Sequence, residues 1–188
     1  APNHNFIANG IVVHNCGKTI QVISFAERNK CKTLVICPAS LKLVWQDEIK
    51  KFTRKDSQVI YSTTEQIKKG FQYTILNYDI VEKKIPLLKG RWDLLVLDES
   101  TYIKNEKAKR TRAIHKIKQF FKYRILLTGT PILNKPSELY SPLNIIQPGE
   151  WGSFWDFAKR YCDAKKGYWG WDFSGSSNEE AVSYTHLR

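Results

Sequence analysis

Three short clusters in this 188-residue chain carry groups suited to phosphate chemistry. The first is Gly17-Lys18-Thr19, followed by an apolar-periodic run. A lysine at a helix start neutralises phosphate charge, and a hydroxyl in the next position ligates Mg2+. The second is "DLLVLDES" (93–100), an apolar run that delivers Asp98 to a metal and sets Glu99 beside it as a base or water-positioning group. The third is "LLTGTP", which offers Thr128, Gly129 and Thr130 at another strand end. Singly, each has a plain alternative: a Gly-Lys-Thr in a lysine-rich chain is easily a solvated turn, and paired carboxylates often mark a solvated strand end. In this order the three point to a nucleotide hydrolase. The first cluster is nevertheless incomplete. A phosphate loop of the form G-x-x-x-x-G-K-[ST] needs a glycine where Val12 stands, and Val13, His14, Asn15 and Cys16 fill the interval.

That interval has a chemistry of its own. An asparagine amide can attack its own carbonyl, forming a succinimide and cleaving the bond that follows. A preceding histidine protonates the leaving group or polarises the carbonyl, and a following cysteine supplies a thiol nucleophile. His14-Asn15-Cys16 has that order, although such a triplet alone arises more often by chance.

The elements that must position these groups follow from periodicity. Residues 18–28 read as a helix with Ile20, Ile23 and Phe25 as its apolar positions. "TLVICP" (33–38) is a short buried strand stopped by Pro38. "LKLVWQDEIKKF" (41–52) places Leu41, Val44, Trp45, Ile49 and Phe52 on one helical face, with Ser40 as the expected N-cap. "QVIY" (58–61) and "YTILNY" (73–78) read as strands, and a charged helical stretch runs to about Leu88. A strand over 93–100, a basic helix over 107–121 and a strand over 123–131 complete the pattern. Continuous apolar strands separated by helices predict an α/β fold, P-loop-like, with a parallel sheet covered on both faces. In such sheets ligands sit beyond the carboxyl ends of the strands, where all three clusters fall. Outside this pattern, "FIANGIVV" reads as a strand–turn–strand, and "GYWGWDFSGSSNEE" (167–180) is aperiodic.

Composition bounds the rest. A formal net charge of +12 favours a polyanionic partner, nucleic acid first, with a lysine-rich solvated surface as the plain alternative. Lys107, Lys109, Arg110 and Arg112 on the basic helix fit either reading. The cysteines Cys16, Cys31, Cys37 and Cys162 have no C-x-x-C spacing, so reduced thiols are expected rather than a zinc ribbon or a disulfide framework. No apolar run reaches the ~18 residues of a membrane span, and no membrane partner is expected. Methionine is absent, so a chain that starts Ala1-Pro2-Asn3 is expected to be processed or a fragment.

At these residues the chain resembles a known family. "CGKT", "LVICPASLKLVWQDEIKKF", "ILNYD", "DLLVLDEST" and "RILLTGTPILNKPSELYSPLNII" look like motifs I, Ia, Ib, II and III of the Swi/Snf-type double-stranded-DNA translocases, members of the superfamily-two helicase-like ATPases. "FAKRYCDAKKGYWGWDFSGSSNEE" (157–180) looks most like their annealing-helicase, fork-remodelling branch. The resemblance implies a RecA-like first lobe. Gly17, Lys18 and Thr19 would hold ATP, Thr19 and Asp98 the Mg2+, with Asp98 and Glu99 serving motif II and Thr128, Gly129 and Thr130 coupling through motif III. It also implies double-stranded or branched DNA as partner, contacted by Pro38, Ala39, Ser40, Asn77 and Tyr78, and a second RecA-like lobe that supplies arginine fingers. Ser100-Thr101 replaces the family's usual second pair of motif II. The alternatives are a strand-separating superfamily-two helicase and a basic nucleic-acid-binding module that does not hydrolyse nucleotide.

"NHNFIANGIVVHNC" resembles the C-terminal splicing blocks of an intein, a Hint-fold element. The resemblance makes Asn15 the residue that cyclises with help from His14, His4 the upstream block histidine, and Cys16 the first downstream extein residue and ligating thiol. The glycines missing from the phosphate loop are then expected upstream of the intein, in extein sequence that splicing joins to Cys16. The tail "VSYTHLR" resembles a translated sequencing-library adapter. The expected organisation is an intein remnant over 1–15, the helicase lobe over 16–163, the start of a post-lobe segment over 164–181 and a non-native tail over 182–188. The expected setting is the cytoplasm of a microbial or viral host, associated with the nucleoid and not secreted.

Overall fold

The computed structural model describes residues 5–8, 11–14, 17–129, 135–168 and 170–177. Strands β1 (Asn5–Ala8) and β2 (Ile11–His14) form an antiparallel pair with Asn5 opposite His14. This pair is a sheet of its own, apart from the main one.

The main sheet has five strands: β3 (Thr33–Cys37), β4 (Gln58–Val59), β5 (Tyr73–Asn77), β6 (Leu94–Leu97) and β7 (Tyr123–Leu126). They lie in the order β4-β5-β3-β6-β7, and every pairing is parallel. Helices α1 (Lys18–Arg28) and α2 (Lys42–Thr53) cover one face, and α3 (Tyr78–Leu88) and α4 (Lys109–Ile117) the other.

Two-sided burial is visible residue by residue. Val35 and Cys37 of β3 pack with Val22, Ile23 and Ala26 of α1 and Trp45 and Ile49 of α2. Their neighbours Leu34 and Ile36 pack instead with Val81 of α3 and Ala113, Ile114 and Ile117 of α4. Successive side chains of a strand point to opposite faces, so a strand sandwiched between helix layers must be apolar throughout. β7 closes one end of the sheet and its four residues are only half-buried.

Helix faces differ from the periodicity reading in two places. On α1 the buried residues are Val22, Ile23 and Ala26, while Ile20 is exposed. On α2, Trp45 and Ile49 are buried, but Val44 and Phe52 are exposed and line a cleft. Ser40 does not cap α2. Residues Ala39–Leu41 form a turn of 3-10 helix, the N-cap position is Leu41, and no side chain caps it. The 3-10 turn takes over the capping role by bonding Leu41 N–H to the Pro38 carbonyl at 3.0 Å.

Beyond the main sheet come α5 (Tyr140–Ile146), α6 (Phe154–Tyr161) and an antiparallel hairpin of β8 (Lys165–Gly167) and β9 (Gly170–Asp172). The aperiodic reading of this tail is therefore corrected: its glycines flank a two-strand turn. Ser153 and Asp156 form a reciprocal capping box at the start of α6. The cysteines Cys31, Cys37 and Cys162 are buried and unpaired, and no described helix is long and apolar enough to cross a membrane.

Packing of α4 on α5 buries His115, whose Nε2 lies 3.1 Å from the Ser141 hydroxyl. Burial, with the nearby Lys118 cation adding to it, pushes the imidazole from 6.5 down to about 4. The folded state therefore binds fewer protons than the unfolded chain between these values, and stability falls as pH drops through that window. In urea titrations across it, His115→Gln is expected to show a shallower loss of stability than the parent.

Candidate nucleotide site

Gly17 is the N-cap of α1, with φ 71°. A side chain there would be strained, so glycine fits the turn that launches the helix. Lys18 and Thr19 follow in the first turn, where backbone N–H groups have no helical partner and the helix dipole favours an anion. A methyl group placed at Gly129 would sit 3.7 Å from the Lys18 Nζ. The lysine thus reaches over the end of β7, which brings the first and third sequence clusters together.

The second cluster arrives from the adjacent strand. Asp98 leaves β6 and is 9% exposed. Its backbone N–H still donates to the Ile36 carbonyl at 2.9 Å, which continues the parallel ladder to β3 for one more residue. Both of its carboxylate oxygens are directed: Trp45 Nε1 donates to Oδ2 at 2.8 Å and the Glu99 N–H donates to Oδ1 at 2.9 Å. The Asp98 carbonyl accepts the Tyr78 hydroxyl at 2.8 Å. Glu99 has φ 49° and ψ 58°, a left-handed conformation uncommon for a residue with a side chain. Strain of this kind persists where surrounding bonds over-determine it, here the flanking Asp98 ladder bond and Ser100 N–H to Leu127 carbonyl at 2.9 Å.

Gly17, Lys18, Thr19, Asp98 and Glu99 line one cleft of about 630 Å³, together with Ile20, Leu41, Val44, Trp45, Glu48, Lys51 and Phe52. One wall is cationic and hydroxylic, one is acidic, and the α2 wall is largely apolar. That combination fits a triphosphate with a divalent cation at one end and a flat organic base at the other. Lys18 suits the phosphates, and the Thr19 hydroxyl with the Asp98 carboxylate suits Mg2+.

The remaining sequence candidates divide. Ala39 and Ser40 are exposed and Pro38 half-exposed, beyond the carboxyl end of β3. Asn77 and Tyr78 are buried. The Asn77 side-chain Oδ1 accepts from Lys42 Nζ at 3.3 Å, and Tyr78 stacks on Tyr102 at 5.5 Å while its hydroxyl serves Asp98. Thr128 is half-buried beside exposed Gly129. His14 is placed by the β2 backbone. His4, Asn15, Cys16 and Thr130 lie outside the described residues. Trp45 is the residue that sequence reasoning took for core alone. Its indole ring is buried, yet its N–H serves the acidic cluster, and a tryptophan otherwise surrounded by apolar positions was the available signal.

The SNF2-related domain family matches residues 3–182. The SWI/SNF-related matrix-associated actin-dependent regulator of chromatin subfamily A-like protein 1 of Xenopus tropicalis is 34% identical over 167 residues, 86% of this chain and 18% of that protein. The DNA annealing helicase and endonuclease ZRANB3 of Homo sapiens is 33% identical over 178 residues, 86% of this chain and 16% of that protein. The chain thus spans less than a fifth of the length of either relative. Among solved structures, the Sulfolobus solfataricus SWI2/SNF2 ATPase core in complex with dsDNA superposes with a TM-score of 0.68 at 33% identity, covering 77% of this chain and 32% of that one.

Two substitutions probe the acidic cluster. Trp45→Phe keeps the aromatic volume but removes a donor to a buried carboxylate, and is expected to cost about 1–3 kcal/mol in urea denaturation. Glu99→Gly relieves roughly 1–2 kcal/mol of left-handed strain. Glycine returns roughly 0.5–1 kcal/mol to the unfolded chain as entropy. The net expectation is a protein more stable by about 0.5–1 kcal/mol.

Proposed function

Because the chain belongs to the SNF2-related domain family, we propose that it forms the first RecA-like lobe of an ATP-dependent double-stranded-DNA translocase of the annealing-helicase branch. The observation that carries this reading is the meeting of Lys18, Gly129 and the Asp98–Glu99 pair in one cleft at the carboxyl ends of parallel strands. Lys18 would neutralise the nucleotide's terminal phosphates, and Thr19 and Asp98 would hold Mg2+, which when bound would supply electrophilic activation of the phosphoryl group. Glu99 orients the attacking water. Trp45 and the Glu99 N–H keep the Asp98 oxygens from rotating away. A second RecA-like lobe supplies the arginine fingers.

DNA is the proposed track. The net charge of +12 supports it, and so does the exposure of Ala39 and Ser40 and of Lys107, Lys109, Arg110 and Arg112 around α4. Asn77 and Tyr78 act from inside on this reading, through Lys42 and Asp98, rather than by touching phosphate.

The N-terminal segment is proposed as an intein remnant over residues 1–15, with His14 and His4 assisting Asn15 cyclisation and Cys16 accepting the upstream extein. Two observations support it. The phosphate loop lacks its first glycine at Val12, and β1 and β2 pair antiparallel outside the main sheet. A loop that cradles phosphate would instead be fed by a strand of the parallel sheet.

Each half has its own experiment. In the assembled two-lobe protein, duplex DNA is expected to stimulate ATP hydrolysis, and Lys18→Ala or Glu99→Gln to reduce the stimulated rate by at least a hundredfold (~2.7 kcal/mol of transition-state stabilisation). Duplex binding that persists without stimulated hydrolysis would leave a basic binding module as the correct reading. For splicing, mass spectrometry of the full precursor is expected to show release at Asn15 that Asn15→Ala blocks. An intact Asn15–Cys16 bond under permissive conditions would sink the splicing reading.

A further inference from the structure

The region after the main sheet has a small core of its own. Leu139, Tyr140, Phe157, Ala158, Tyr161 and Cys162 are buried together, and Phe173 packs against them. From this base the chain leaves after Cys162 and returns at Ser177, which fastens the excursion shut. Its N–H donates to the Tyr161 carbonyl at 3.1 Å, and its hydroxyl donates to the Arg160 carbonyl at 2.9 Å and accepts from the Asp163 N–H at 3.2 Å. Gly175 permits the close return: a Cβ there would lie 2.9 Å from the Asp163 Cβ and 3.2 Å from the Cys162 carbonyl oxygen. The enclosed hairpin, β8 with β9, is exposed at all six strand positions. A two-stranded hairpin with no buried face is marginal in water, so the clamp at its base is what holds it out.

What it holds out is aromatic and cationic. The register sets Lys166 opposite Trp171 and therefore on the same face. Trp171 meets Trp155 of α6 edge to face, with centroids 5.1 Å apart, and each ring stays more than two-fifths exposed. Tyr168 in the turn is 96% exposed. Three neighbouring carboxylates are engaged locally: Asp156 by Ser153, Asp163 by Lys165 at 2.6 Å and Asp172 by the Ser174 N–H at 2.9 Å. Lys159 faces the Asp156 carboxylate, while Lys166 forms no ion pair among the described residues.

Exposed aromatic rings beside the Lys166 cation match a ligand that is flat, π-faced and anionic along its backbone. Nucleotides are such ligands, and only unpaired ones offer their faces, because duplex bases are stacked on one another. We propose that Tyr168, Trp171 and Trp155, with Lys166, form a stacking surface for the unpaired bases of a nucleic-acid strand. The surface rests on the translocase reading for its context: it would engage single strand bordering the duplex that the lobe tracks.

Fluorescence anisotropy of the full chain with labelled oligothymidylate, and in parallel with a duplex of equal length, tests the surface. Tyr168→Ala and Trp171→Ala together are expected to weaken single-strand binding by about tenfold or more while leaving duplex affinity within twofold. Trp171→Phe is expected to retain most of the binding, and Lys166→Glu to reduce its salt dependence. Tyr168 is 96% exposed, so a loss of affinity in Tyr168→Ala at an unchanged thermal midpoint separates stacking from folding. Unchanged single-strand affinity, an equal loss on both probes, or concentration-dependent dimerisation that the aromatic substitutions abolish would overturn the surface. A two-lobe protein whose hydrolysis ignores duplex, with single-strand binding that still follows these variants, would remove the translocase reading and leave the surface standing.

Discussion

A parallel sheet covered by helices on both faces leaves little room for charged side chains except at its strand ends, and in this protein that constraint decides where the polar groups of the cleft stand. β6 is apolar at every ladder position, and so is β3 after Thr33, so the first residue past the carboxyl end of β6 that is free to be charged is Asp98. Once there, a carboxylate that is 9% exposed must be satisfied, and Trp45 from the α2 layer and the Glu99 N–H do so. The same bonds fix the direction of its oxygens. Stability and preorganisation are here one set of contacts, and the left-handed backbone of Glu99 is the local cost.

The sheet face carrying α1 and α2 builds the cleft, and the face carrying α3 and α4 supports it from behind. Tyr78 shows the division. It belongs to the α3 side, stacks on Tyr102, and passes its hydroxyl through to the Asp98 carbonyl. Arg110 continues this stack outward, with its guanidinium 5.2 Å from the Tyr102 ring centroid and its Nε donating to the Tyr102 carbonyl at 2.7 Å. An exposed basic residue is thereby packed onto the same aromatic pair that props the acidic cluster.

Much of this was legible in the sequence, for physical reasons that also explain what was not. Runs such as "TLVIC" and "LLVL" announce two-sided burial, since few other environments demand uninterrupted branched apolar residues. Gly17, Lys18, Asp98 and Glu99 were recoverable because each sits where an element ends. Val44 and Phe52 share the cleft with Leu41 and Trp45 of their expected face but stay exposed, since periodicity reports that a face is apolar but not what covers it. Ser40 lost its capping role to a 3-10 turn, a choice among near-equal local hydrogen bonds that composition does not resolve. The β8–β9 hairpin was missed because three-residue strands are too short to show alternation. Trp45 was read only as bulk, because its polar edge matters only after folding places Asp98 beside it.

Apolarity on both faces has a further consequence for how the sheet finds its alignment. Sliding β6 by one residue along β3 would exchange Leu94 and Val96 with Leu95 and Leu97, and the hydrophobic content of each layer would barely change. Greasy contacts are thus nearly indifferent to slippage, and discrimination falls to the polar pins at either end. At the amino end the Asp93 side chain accepts from the Lys32 N–H at 2.9 Å while the Asp93 N–H donates back to the Lys32 carbonyl at 2.8 Å. At the carboxyl end the pin is Trp45 on Asp98. A misregistered sheet would bury Asp98 without its indole partner. The carboxylate that lines the cleft is thus also one of the contacts that make the native register differ in energy from its neighbours.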